Sequence, residues 1–95
     1  MPAYVVFTRE ETLDQAELDT YSANVGPTLE GHEVTPRVAY GEFEVLEGPD
    51  IEGAVILEFP DMQAARTWYF SPAYQDVVQH RFKGARYRGF IVQGR

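Results

Sequence analysis

The residues able to do chemistry in this chain are few, and they cluster late. His32 and His80 are the two imidazoles, Glu58 is the one carboxylate within an otherwise apolar run, and Arg81 follows His80 directly. Imidazole titrates near neutral pH, so His32 is a candidate general base; the alternative is a cap at a helix end, where a cation favours the helix dipole. His80 points off the apolar stripe described below and reads as surface. Two histidines on separate elements, with no acid at a metal-site spacing, argue against a metal centre and against haem. No glycine-rich phosphate loop is present. Ser22 lacks an evident nucleophile context, and Ser71 is better used as a helix cap. No cofactor is expected.

Tyr74, Val77, Val78, Arg81 and Phe82 fall at i, i+3, i+4, i+7 and i+8, a full helical stripe with an arginine in it. A guanidinium keeps its proton, so on an inward face it needs an anion or a hydrogen-bonding partner. Three readings follow: a buried stem with its head in water, an ion pair with Glu58, or a ligand contact. Burial would raise the pKa of Glu58, and a nearby Arg81 would lower it. After Asp76 the chain has no acid, yet it carries Arg81, Lys83, Arg86, Arg88 and Arg95. That bias is either a basic edge balancing an acidic body or a local site for an anionic or phenolate ligand.

Four aromatics crowd "TWYFSPAYQ", Thr67 to Gln75. At about 100° per residue, Met62, Ala65 and Tyr69 share a face, which assigns Tyr69 to the core. Trp68 lies on the flank, where it shields the helix edge or walls a pocket. Ser71 and Pro72 suit the N-cap and first position of a new helix.

These residues need elements to hold them. "AYVVFTR" (Ala3 to Arg9) reads as a strand. A helix follows, capped by Asp14 with Glu17 as its capping-box partner, carrying Leu18, Tyr21, Val25 and Leu29, bent after Gly26 by Pro27 and ending near Gly31. "VTPRVAY" and "EFEVLEG" form one long strand with an irregularity at Gly41, or two short strands. "AVILEF" (Ala54 to Phe59) is a strand stopped by Pro60, and Asp61 caps the next helix. "RYRGFIVQ" (Arg86 to Gln93) is the last strand. The order β-α-β-β-α-β is that of an α+β, ferredoxin-like fold: a four-stranded antiparallel sheet with helices on one face. Both parities of the strands are largely apolar, whereas a one-sided antiparallel sheet would alternate. The uncovered face calls for a second copy, so a homodimer through the open sheet face is expected.

Totals bound the function. At 95 residues the chain is expected to be one domain, 1–95, with a thin core. A net charge of −7 disfavours nucleic acid. No apolar run approaches the roughly 20 residues that span a bilayer, no signal-peptide pattern opens the chain, and a cytoplasmic location is the default. There is no cysteine, hence no disulfide framework.

"EFPDMQAARTWYFSPAYQ" (Glu58 to Gln75) resembles the "EFPS-x-E-A-A-x-A-W-Y-x-S-P-E-Y-Q" signature of the bacterial domain-of-unknown-function 1330 family. Asp14 and Tyr21 fit its "D-x-x-x-Y-x-x-Y" helix start, with Leu18 in place of the first tyrosine. Pro27 and His32 fit its "P-x-x-x-x-H", "VLEG" (Val45 to Gly48) the end of its second strand, and Arg81 its later arginine. Two departures stand out: Glu33 and Val34 replace a Gly-Gly after the histidine, and Ala39-Tyr40-Gly41 replaces an Arg-Gly-Gly. The resemblance implies a dimeric α/β barrel, in a superfamily that includes cofactor-independent monooxygenases, isomerases and haem binders. Fold does not carry function across such a set. The expectation is a dimer that binds a small aromatic or anionic metabolite between sheet and helices. Trp68, Tyr74 and Tyr40 are the candidate ligand contacts; His32 or Glu58 is the candidate base, with Arg81 stabilising an oxyanion. The competing expectation is a non-catalytic homodimeric interaction domain.

Overall fold

The computed structural model describes all residues from Met1 to Arg95. The elements are β1 (Ala3–Thr12), α1 (Gln15–Thr28), β2 (Thr35–Ala39), β3 (Gly53–Phe59), α2 (Met62–Tyr69), α3 (Pro72–Gly84) and β4 (Ala85–Gln93). The sheet order is β2-β3-β1-β4, every neighbouring pair antiparallel. This is the expected α+β ferredoxin-like topology, with the second helical region split into two at Ser71-Pro72. No helix is long and apolar enough to cross a membrane.

The caps act much as their residue types dictate. Asp14 accepts from the Ala16 N–H at 3.1 Å and Asp61 from the Ala64 N–H at 2.7 Å. The Ser71 hydroxyl accepts from the Tyr74 N–H at 3.2 Å and donates to the Trp68 carbonyl at 2.7 Å, joining α2 to α3 at a fixed angle. Glu17 does not complete a capping box. Its carboxylate lies 2.6 Å from His80 Nδ1, so His80 is half-buried and ties α3 to α1 rather than standing free on the surface.

Two expectations about elements fail for physical reasons. Pro27 is the penultimate residue of α1, which ends at Thr28 rather than near Gly31, so no helix continues past Gly26 and Pro27 to be bent. "EFEVLEG" (Glu42 to Gly48) forms no strand. A strand needs a ladder partner; β2 pairs only with β3, and its register shift falls between Pro36 and Val38, not at Gly41.

The registers sort side chains into two faces. Val5, Phe7, Leu57 and Phe59 point toward the helices and, with Ala65, Trp68, Tyr74, Val78 and Tyr21, make the core. On the other face, Phe90, Val6, Ile56 and Val38 line up across the four strands, flanked by Val92, Tyr4 and Glu58. Phe90 is 53% exposed and Val92 45%, so this second face is apolar and uncovered.

The assignment of Trp68 and Tyr69 is reversed. Trp68 is completely buried and Tyr69 half-buried. In an α2 only eight residues long, Ala65 and Trp68, one turn apart, make the inward line. The Trp68 ring stacks on Phe59 at 5.8 Å and tilts against Tyr74 at 4.1 Å. Its Nε1–H donates to Thr28 Oγ1 at 3.1 Å, and Thr28 donates in turn to the Val25 carbonyl at 2.6 Å. Burying an indole needs such a partner, and here it is found at the far end of α1.

Candidate functional site

Between the helix-facing side of the sheet and α1 lies a cavity of about 370 Å3. Phe7, Val55 and Leu57 form its floor, α1 contributes Tyr21, Ser22, Val25 and Leu29, and Trp68 closes one side. The end of β2, with the exposed Tyr40, and the β4 residue Tyr87 make the mouth, and the buried Arg81 from α3 completes the wall. No carboxylate, imidazole or lysine lines it. Volume and apolar lining match those of small-molecule sites, in which a few polar groups fix the ligand.

Arg81 is the unusual group. It is 4% exposed, and its Nε and Nη1 atoms are buried without a hydrogen-bond partner. None of the five ion pairs of the molecule includes it. The expected pair with Glu58 does not form, because Leu57 and Phe59 face the helices and Glu58 therefore faces the other way. There its Oε1 accepts from Arg37 Nε at 2.9 Å. Arg81 is held instead by aromatic faces: its guanidinium carbon sits 4.3 Å from the Phe7 ring centre, 4.8 Å from that of Tyr87 and 5.4 Å from that of Phe82. Such contacts are worth roughly 0.5–2 kcal/mol each, far short of what a buried charge loses in solvation.

Four tyrosines, in two hydroxyl-bonded pairs, stand at or just behind the cavity wall. Tyr21 and Tyr74 place their hydroxyls 2.7 Å apart, and Tyr40 and Tyr87 theirs 2.6 Å apart. Burial pushes the Tyr21 hydroxyl well above the usual phenol range, with the Tyr74 neighbour adding to it and Arg81 opposing. Burial also raises Tyr40, helped by its bond to Tyr87. Tyr74 is pushed up by burial to about 12, against the pull of Arg81. At neutral pH these three are uncharged donors.

Tyr40 sits at φ +58°, a region that favours glycine. It occupies the first glycine of the Arg-Gly-Gly pattern noted above. What holds it there is visible on all sides. Its N–H donates to the Ala54 carbonyl at 2.8 Å, its hydroxyl meets Tyr87, and the Arg9 guanidinium lies 5.0 Å from its ring centre. Its ring lies against Gly53, where an added Cβ would come within 2.6 Å of Tyr40 Cδ1. Arg9, Tyr87 and Gly53 share one cross-strand row, which is why they meet at the mouth.

Of the expected site residues, Arg81, Trp68 and Tyr40 come together at this cavity. Tyr74 lies behind its wall, reaching it through Tyr21. His32 and Glu58, the expected bases, lie outside it. His32, in the turn after α1, lines a separate open cleft of about 470 Å3 with Phe59, Asp61 and Gln63. Glu58 is on the opposite face of the sheet. Among the lining residues that carried no functional reading in the sequence are the aromatics Phe7, Tyr21 and Tyr87. The available signal was a polar-tipped aromatic on an apolar face, in the stripe of α1 for Tyr21 and beside Ile91 in β4 for Tyr87. Nowhere do three or more His, Asp or Glu side chains converge as metal ligands.

The sequence profile described as "Domain of unknown function (DUF1330)" matches residues 2–95. The chain belongs to the DUF1330 family. Among solved structures, this DUF1330 chain is similar to a protein of unknown function from Rhodopseudomonas palustris, at 19% identity and a TM-score of 0.76, over 99% of this chain and 82% of the other. It is similar also to a dimeric ferredoxin-like protein of unknown function from Thermobifida fusca, at 10% identity and TM-score 0.69, over 99% and 92% of the two chains. A third similar structure is SnoaB, a cofactor-independent oxygenase from Streptomyces nogalater, at 12% identity and TM-score 0.61, over 99% and 93%. No curated protein sequence matches. At such identities the likeness extends to the fold.

Proposed function

We propose that this chain binds a small aromatic or anionic metabolite in the cavity between sheet and α1, with Arg81 as the counter-charge. One observation carries the reading: a buried guanidinium, with two nitrogens unpartnered, at the wall of an otherwise apolar chamber. Protein interiors rarely leave such a group without an anion, and here a ligand would supply it. Val25, Val55 and Leu57 give the ligand's apolar body a surface, Phe7 and Trp68 back the wall, and Tyr40 borders the entrance. The reading assigns no general base, since neither His32 nor Glu58 reaches the chamber. Any reaction, isomerase-like or oxygenase-like, would then start from the bound anion itself rather than from a proton taken by a wall residue.

The same reading makes the working unit a homodimer. The Phe90–Val6–Ile56–Val38 row gives a second sheet an apolar surface to pack on, and similar solved structures are described as dimeric.

Benzoate is a suitable probe for the site, because it combines a planar ring with one carboxylate. At ten times its dissociation constant it would stabilise the protein by about 1.4 kcal/mol, a rise of several degrees in melting temperature for a chain this size. Arg81→Met should abolish that rise. An equal rise in wild type and variant, or none in wild type, would refute the reading.

A further inference from the structure

The protons at the Arg81 end of the cavity define the ligand more closely. A tyrosine hydroxyl donates one hydrogen bond and can accept others. Within each bonded hydroxyl pair, one member gives its proton to the other, and the second keeps a proton free. For Tyr21 and Tyr74, burial decides which. Tyr74 is completely enclosed and does not line the cavity, so a free proton there would be a buried, unsatisfied donor, at a cost of about 1–3 kcal/mol. Tyr21 lines the cavity. Burial thus favours the arrangement in which Tyr74 donates to Tyr21 and the Tyr21 proton is left for whatever occupies the chamber. Tyr40 and Tyr87 line the chamber at its exposed end, so that pair holds a second proton that a ligand at the entrance can take in place of water.

The groups act on one another. Beyond burial, the main cause, Tyr21 and Tyr74 each feel the Arg81 charge, and Tyr21, Tyr40 and Tyr74 each feel Tyr87. Facing them is no carboxylate or imidazole of the cavity wall. Glu10 shares an outer cleft with Arg81 and Arg86, but its own carboxylate lies 3.9 Å from Arg88. Arg9, over the Tyr40 ring, is 3.1 Å from Glu52. The polar end of the chamber thus offers a cation and two spare donors, with no side-chain anion to compete for them.

Resting on the ligand-binding reading above, we propose that the chamber selects the oxyanion form of a phenol or enol, held by Arg81, by Tyr21 and by the Tyr40–Tyr87 pair. Tyr74 is a positioning residue that acts through Tyr21. The ligand's O–H bond is the only one broken, and its proton goes to solvent, because no base lines the wall. Two effects oppose each other. Removing a phenolate from water disfavours its charge, whereas an unpaired cation within contact distance, together with donors to the oxygen, favours it. With Arg81 otherwise uncompensated, the second effect wins.

The test uses 4-nitrophenol, whose ionised form absorbs visible light. Its ionisation is titrated by absorbance against pH, free and with the full chain in saturating excess, while benzoate binding is followed in parallel. The bound midpoint should fall by about one pH unit or more, meaning that the anion binds at least tenfold more tightly than the neutral phenol. Tyr21→Phe, its fold checked by circular dichroism, should return the midpoint toward the free value, and Tyr74→Phe should return it part of the way. If the variants do not fold, the wild-type titration decides alone. An unchanged or raised midpoint, or no nitrophenol binding, while benzoate still binds, overturns the oxyanion inference only. Failure of both probes to bind overturns the ligand reading as well.

Discussion

Arg81 concentrates the tension between stability and function at the scale of one residue. A buried ion without a counter-ion loses several kcal/mol of solvation, and three ring faces return only part of it. Replacing it with methionine removes the charge and keeps most of the stem. Without ligand, Arg81→Met is expected to melt no lower than wild type, within about 1 kcal/mol or above it, although most buried substitutions destabilise. A fall of about 3 kcal/mol or more, measured by denaturant titration, would mean that the guanidinium is a structural tie rather than a ligand contact. The position of Arg81 was legible in the sequence, because an arginine in an apolar stripe is conspicuous. Its partner was not. Alternation along β3 separates Glu58 from Leu57, but only the sheet's pairing says which parity meets the helices. Trp68 and Tyr69 were exchanged for a related reason: spacing fixes their relative angle, and packing against Phe59 and Tyr74 fixes which of them is inside.

Among the elements, the short β2 and the mouth it builds are the least regular part of the site. Its ladder stops at Ala39, and Tyr40 enters the left-handed region, a conformation costing about 1–2 kcal/mol for a residue with a Cβ. Gly53 makes room for that ring. In most strands glycine to alanine would be neutral or stabilising. Here Gly53→Ala is expected to destabilise by about 1–3 kcal/mol, as overpacking does. The same change in a Tyr40→Gly background should cost much less, a non-additivity that a double-mutant cycle in urea would measure. Additive costs would show that the ring does not depend on Gly53. The caps at Asp14, Asp61 and Ser71 could be read directly, since each follows from local chemistry. The segment from Glu42 to Gly48 could not. Its alternation of Phe43 and Val45 with Glu42 and Glu44 suggests a strand, but strand formation depends on a partner that sequence alone does not provide.

For the whole molecule, the fold was readable from element order and from the apolar character of both strand parities. The second of those features has a consequence. A sheet face carrying Phe90, Val92, Val6 and Ile56 is costly to leave in water, and packing it on a second copy recovers roughly 25 cal/mol for each Å2 of apolar area removed. At micromolar concentration the wild-type chain is expected to scatter light as twice 10.8 kDa, and Phe90→Glu as 10.8 kDa. A wild-type mass of 10.8 kDa would refute the dimer without touching the ligand site, which lies on the other side of the sheet. The cavity itself was less legible than the fold, because its key features are an absence and a convergence: no carboxylate in the wall that Arg81 joins, and four tyrosines from α1, α3, β4 and the end of β2 paired at or behind that wall. The central claim is that an organic anion sits on Arg81. Nitrogen-edited NMR of the Arg81 Nε–H during a benzoate titration tests it most directly. A saturable shift of that signal, together with the backbone signals of Tyr21 and Tyr87, is the expected result. An unmoved Arg81 signal, with changes confined to the open cleft around His32, would contradict it.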